Sequence, residues 1–170
     1  MDSAALQQFV EDQILEQYPA LYRLAFTYVK NPDDAMDVVQ ESVYKAMRGC
    51  AQVQNREAVR SWLCRIVVNT ALDLLRGRSR EVLTDILPES GREDVYADPD
   101  LLRALDVLDE RERTVVVLRF FQELKLHEIA QVTGENLNTV KTILYRSLKK
   151  LKAYLTEGED ERERTRHEGL

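Results

Sequence analysis

Between residues 4 and 76, and again between about 101 and 155, apolar side chains return every three or four positions, and strand-like alternation is hard to find. A period near 3.6 is the signature of helices that bury one stripe. Six glycines and four prolines in 170 residues leave few places for that pattern to break. The first block is interrupted at Asn31-Pro32-Asp33-Asp34 and across residues 49–55. Pro32, followed by Asp33 and Asp34, is a helix-opening signal, because proline fits a first turn and acids favour its positive end. The expected fold class is all-α.

Composition divides the chain. Residues 1–80 form one helical unit and residues 101–156 another. Residues 81–100 are acidic, poorly periodic and broken by Pro88, Ser90, Gly91 and Asp98-Pro99-Asp100. That stretch reads as a flexible linker between two small helical domains. Residues 157–170 are nearly all charged or small, and the expectation for them is disorder. Hydrophobic residues at 44% suffice for packed cores. No apolar run approaches the ~20 residues that span a bilayer. The start, Met1-Asp2-Ser3, lacks the basic stretch and apolar block of a secretory signal. The expectation is a cytoplasmic protein without membrane insertion.

Catalysis has no visible seat. There is no nucleophile–base pairing or glycine-rich phosphate loop. Cys50 and Cys64 form no zinc spacing, and His127 and His167 lie far from them in sequence. Neither metal nor cofactor is expected, and the two thiols read as small, semi-buried residues.

The net charge of −6 conceals a strong asymmetry. Residues 60–80 carry Arg60, Arg65, Arg76, Arg78 and Arg80 against the single acid Asp73. Residues 138–155 carry Lys141, Arg146, Lys149, Lys150 and Lys152 with no acid. Two basic faces on an acidic chain suit a protein that touches DNA at two places.

Three helices carry a loaded face. Over residues 35–48, Ala35, Val38, Val39, Ser42, Val43 and Ala46 share one side, while Asp37, Gln40, Glu41, Tyr44 and Arg48 share the other. Asp37 and Glu41 are a like-charge pair four apart, slightly unfavourable in an isolated helix. Spacing alone makes this a solvated face. Over residues 59–76 the apolar stripe is Leu63, Cys64, Val67, Val68, Ala71, Leu74 and Leu75. Opposite lie Trp62, Arg65, Asn69, Asp73 and Arg76, at steps of 3, 4, 4 and 3. Aromatic, guanidinium and amide groups in one line can stack on bases and bond to phosphates or base edges. A Trp packed on a neighbouring helix and a local Asp73–Arg76 ion pair would give the same spacing, so both readings stay open.

The third unit is the most specific. Ile129 and Ala130, then Gly134, then Val140 and Ile143 have the spacing of a helix-turn-helix: a small residue where helices approach, a glycine at the turn and apolar residues inward. Asn138 is the expected N-cap of the second helix. Val140, Ile143, Leu144, Ser147, Leu151 and Leu155 should face inward, and Lys141, Thr142, Tyr145, Arg146, Lys149 and Lys152 outward. Lys141 in the first turn opposes the helix dipole at a cost of ~0.3–1 kcal/mol, and an anionic partner supplies a reason for it.

Taken together, these segments resemble the extracytoplasmic-function sigma factors, the smallest class of the sigma-70 family. Asp34-Ala35-Met36-Asp37-Val38-Val39-Gln40-Glu41 is similar to the family's polymerase-binding helix. Trp62-Leu63-Cys64-Arg65-Ile66-Val67-Val68-Asn69, continuing to Asp73 and Arg76, is similar to its minus-ten helix. Residues 108–155 are similar to its minus-thirty-five helix-turn-helix, most closely at Glu128-Ile129-Ala130 and Asn138-Thr139-Val140-Lys141-Thr142. The resemblance implies a sigma factor that directs transcription initiation at a stress or envelope-response regulon. It implies that Asp37, Gln40 and Glu41 contact the clamp helices of core RNA polymerase, with further contact to the polymerase flap. Asn55 and Arg56, in a loop over residues 51–57, would cradle a flipped promoter base. Trp62, Arg65, Asn69 and Arg76 would meet minus-ten DNA, and Lys141, Thr142, Tyr145, Arg146 and Lys149 the minus-thirty-five groove. An anti-sigma protein is a further implied partner.

The chain departs from the family pattern at Met36, where an acid is frequent, and at Ile143 and Leu148, where basic residues are common. Glu123 and Lys125 replace a frequent glycine and a capping hydroxyl, so the first helix of the helix-turn-helix should be poorly capped. The alternative is a stand-alone helix-turn-helix regulator with a sensing front half. The absence of βα alternation in residues 1–80 and the Trp/Arg/Asn stripe argue against it.

Overall fold

The computed structural model describes residues 2–81 and 99–168, and every segment of regular structure among them is helical. Helix α1 spans Ser3–Val29 and α2 Pro32–Gly49. Single 3-10 turns at Cys50–Gln52 and Arg56–Ala58 lead into α3, Val59–Glu81. These three helices pack on one another as the front unit. The α2 start is built as its sequence implies: the Asn31 side chain accepts from the amides of Asp33 and Asp34 at 2.9 and 3.1 Å, with Pro32 in the first turn. Ala35, Val38, Val39, Ser42 and Ala46 of α2 are buried against α1 and α3. From α3 come Leu63, Cys64, Val67, Val68 and Ala71, whereas Leu74 and Leu75 are only half-buried.

The second unit comprises α4 (Pro99–Leu105), α5 (Glu110–Phe120), α6 (Leu126–Thr133) and α7 (Leu137–Glu168). Helices α6 and α7 are the expected helix-turn-helix. Gly134 between them sits at φ +73°, in the left-handed region that a side chain would strain, and its amide closes α6 onto the Ala130 carbonyl at 2.9 Å. Lys125 offers α6 no side-chain cap; instead Glu128 reaches back to the Lys125 amide at 2.9 Å. Glu123 does adopt the left-handed conformation that a glycine would accept, at φ +55°.

Three expectations need correction. The residue that caps α7 is Asn136, whose side chain accepts from the Thr139 amide at 2.8 Å, so Asn138 lies inside the first turn. Leu155, expected inward, is 57% exposed: the 32 residues of α7 far outrun the 11 of α5, and the short α4 lines an open pocket beside it. The charged tail continues α7 as helix to Glu168. Its acids precede bases at helical spacing, as in Asp160–Arg164, Glu161–Arg164 and Glu163–Arg166, and its last turn carries Arg166 and His167. Such pairs and a basic C-terminus each favour helix by a few tenths of a kcal/mol. The linker expectation falls almost wholly on residues 82–98, outside the described residues.

The two units also pack on each other and share one hydrophobic core. Gln122, just after α5 and 2% exposed, is the polar centre of the junction. Its amide donates to the Ala20 carbonyl at 3.0 Å, its carboxamide oxygen lies 3.8 Å from Cys64 Sγ, and its backbone carbonyl accepts from Arg60. Tyr28 is hydrogen-bonded to Thr114, and Lys30 pairs with Asp106. Burial pushes the Tyr28 hydroxyl well above the usual tyrosine range, with the Thr114 hydrogen bond opposing.

Candidate nucleic-acid and polymerase interfaces

The polar face of α2 follows from the burial of the other side. Asp37, Gln40 and Glu41 are all exposed, as is Tyr44, and the Arg48 guanidinium lies over the Tyr44 ring at 5.6 Å. Met36 joins them at the surface. The helix thus presents a carboxylate-rich ridge flanked by Met36 and Tyr44.

On α3, Arg65, Asn69 and Arg76 are exposed and Trp62 is half-buried. A Cβ built on Gly49 would stand 3.4 Å from the Trp62 ring, so the indole is seated over the end of α2. Arg76 lies 3.6 Å from both Asp73 and Glu110, the second pair crossing from one unit to the other. Asn69 and Arg76 line a cleft of about 220 Å³ closed on the far side by Glu110, Thr133 and Ile143. Before α3, the Asn55 side chain accepts from the Glu57 amide at 3.0 Å, and Arg56 lies 4.8 Å over the Phe9 ring. Asn55 and Arg56 are both exposed. The structure therefore brings Asn69 and Arg76 together in one cleft and leaves Asn55 and Arg56 on a separate turn.

The outward face of α7 carries Lys141, Thr142, Tyr145, Arg146 and Lys149, all exposed, Tyr145 at 69%. Inward, Val140, Ile143, Leu144 and Ser147 are buried, and Leu151 is half-buried. The Thr142 hydroxyl donates to the Asn138 carbonyl at 3.0 Å. Arg146 and Lys150 lean back toward α5: Arg146 Nε is 3.1 Å and Lys150 Nζ 2.7 Å from the carboxylate of Glu112, which is fully buried. Burial alone would raise the pKa of Glu112. Hydrogen bonds from Lys150, the Asp109 amide and Arg146 outweigh it and hold the carboxyl at about 2. Glu112 also forms a capping box with Asp109. Sequence reading missed Glu112 and Lys150 as partners. The Asp109-to-Glu112 spacing announces the box, but nothing local announces that its carboxylate faces a helix 34 residues later.

Among the described residues, no group of three His, Cys, Asp or Glu side chains could hold a metal ion, and no helix is long and apolar enough to cross a membrane. Cys64 is buried, with its pKa pushed up to about 12 mainly by desolvation, so it carries no thiolate near neutrality.

The sigma-70 region 2 family matches residues 14–81 and the sigma-70 region 4 family residues 104–153, so each of the three faces lies inside a matched region. The chain is 52% identical over 139 residues to the RNA polymerase sigma factor SigV of Bacillus subtilis, covering 79% of this chain and 84% of that protein. It is 33% identical over 150 residues to the RNA polymerase sigma-E factor of Streptomyces coelicolor, covering 85% of each. In fold it is similar to the sigma factor RpoE of Bartonella quintana, solved in complex with the anti-sigma factor NepR. That likeness has a TM-score of 0.74 at 24% identity and covers 86% of this chain and 96% of that one. CnrH, solved in complex with the cytosolic domain of CnrY, is similar at a TM-score of 0.68 and 24% identity over 87% of this chain and 88% of that one. With both regions in order on one chain and an identity of 52% to a relative covered over most of its length, this protein belongs to the sigma-70 family of RNA polymerase sigma factors, in the extracytoplasmic-function class.

Proposed function

We propose that this protein binds core RNA polymerase and directs it to promoters with two recognition elements, without catalytic chemistry of its own. The observation that carries this reading is the pairing, on one chain, of a region 2 bearing an acidic exposed face with a region 4 bearing a basic one. Asp37, Gln40 and Glu41 meet the polymerase clamp helices, and region 4 meets the flap. Asn55, Arg56, Trp62, Arg65, Asn69 and Arg76 handle the minus-ten segment. Trp62 contributes from its seat over Gly49, as a wall rather than as an extended stacking platform. Lys141, Thr142, Tyr145, Arg146 and Lys149 enter the minus-thirty-five major groove, where a recognition helix reads base edges from its first turns. Its place of action is the cytoplasm, with the polymerase. An anti-sigma protein is the proposed antagonist, in keeping with the complexes in which RpoE and CnrH were solved.

The test separates polymerase binding from promoter opening. Arg65→Ala and Asn69→Ala lie opposite the buried stripe of α3. Each should leave capture of core polymerase intact while lowering permanganate reactivity of minus-ten thymines. Wild-type reactivity in both variants would remove α3 from the opening step. Failure of the wild-type chain to capture core enzyme would overturn the whole reading and favour a stand-alone helix-turn-helix regulator.

A further inference from the structure

Glu112 is an expensive residue to keep. It is fully buried and ionised, and an apolar side chain of similar size in such a place is commonly as stable or more so. Both of its carboxylate oxygens are occupied: Oε2 by Arg146 Nε, and Oε1 by Lys150 Nζ and the Asp109 amide. The grip on Arg146 is through Nε alone. The two Nη atoms, the fork that fits guanine O6 and N7, have no partner among the described residues, on a side chain 49% exposed.

We propose that Glu112 is a specificity-determining positioning residue that holds the Arg146 guanidinium with its outer edge turned toward a guanine of the upstream promoter element. This rests on the reading above that the exposed face of α7 enters the major groove. An unheld arginine has several rotors to freeze on binding and can as well settle on a phosphate. Clamped at Nε, its orientation is set when the protein folds, and the planar fork is presented ready-made. By pairing Lys150 on its other oxygen, Glu112 also withdraws a cation that would otherwise bind any sequence.

The test uses the full chain assembled with core polymerase and two duplexes. One is selected by the wild-type complex from a library randomised across the upstream element; the other has each guanine of that element replaced by adenine. Affinities are measured at several salt concentrations. Glu112→Gln keeps the shape and can still accept from the Asp109 amide, but it loses the charge that holds Arg146 and Lys150. It should narrow the ratio between the duplexes by about tenfold, as Arg146→Ala does, and the double variant should narrow it no further. Glu112→Gln should also tighten binding to the substituted duplex and steepen its salt dependence by about one unit, as released cations find phosphates. A role confined to stability would instead weaken both duplexes alike. Arg146→Lys keeps the ion pair and the fold but loses the fork, so it should lose discrimination whether or not Glu112→Gln folds. A wild-type ratio in Glu112→Gln or in Arg146→Lys overturns the proposal. If Lys141→Ala and Lys149→Ala weaken binding while Glu112→Gln keeps its ratio, only the role of Glu112 fails. If those lysine variants also change nothing, the groove placement of α7 fails with it.

Discussion

Glu123 holds a left-handed backbone at φ +55° between α5 and α6, with its side chain exposed. A Cβ in that region costs roughly 1 kcal/mol that glycine avoids. Glu123→Gly should therefore stabilise the protein by about 1 kcal/mol, raising Tm by ~2–4 °C, while Glu123→Ala should gain little. Calorimetry of the two variants checks this, and equal stability would mean that the charge matters rather than the backbone. Sequence reading flagged this position as lacking a frequent glycine; the structure supplies the reason. It located buried and exposed faces well, down to Asp37, Glu41, Arg65 and Asn69, because a 3.6 period sorts side chains without any knowledge of neighbours. It erred where neighbours decide. Asn136 and Asn138 are equally good caps in composition, and only the path of the chain out of Gly134 selects Asn136. Leu155 keeps the apolar period after the surface it would cover has ended.

At the level of the helix, the acidic face of α2 is separable from its packing. Asp37→Lys with Glu41→Lys should abolish capture of core polymerase with a stability change under ~1 kcal/mol, since exposed charges contribute little to folding. Competition for core enzyme, read beside a urea melt, checks both halves; wild-type competition would take α2 out of the polymerase interface. Helix α5 has its own signature in acid. Glu112 titrates at about 2 in the folded chain, below the ~4.3 of an unfolded glutamate. Its contribution is complete above about pH 4.5 and is lost as pH falls toward 2. Urea melts across that range should show the wild type losing on the order of 2 kcal/mol more than Glu112→Gln, less than a wholly enclosed pair because Arg146 and Lys150 are half in solvent. Parallel curves would place the acid sensitivity elsewhere. The existence and order of the helices were legible from period and punctuation, and the order in α7 beyond Leu155 was not. Polar composition argues for disorder, while the spacing of acids before bases along the same residues argues for helix.

Across the whole molecule, the least legible feature is the junction between the two units. The pairs of Tyr28 with Thr114 and Gln122 with Ala20 are separated by 86 and 102 residues, and no local pattern marks either partner. The junction matters to function because Asn69 and Arg76 look into the cleft between the units, and Arg76 is shared with Glu110. Region 4 thus stands beside the face that the proposed function has region 2 offer to DNA. The family itself was legible because three motifs occur in a fixed order along one chain. The most direct measurement is run-off transcription by purified core polymerase, with and without this chain, on a library of genomic promoter fragments. The expected result is transcripts that appear only with the chain, start downstream of one recurrent pair of elements, and fall when the upstream element is scrambled. Binding of the chain to DNA without core enzyme, with no transcript that depends on it, would contradict a promoter-specificity role.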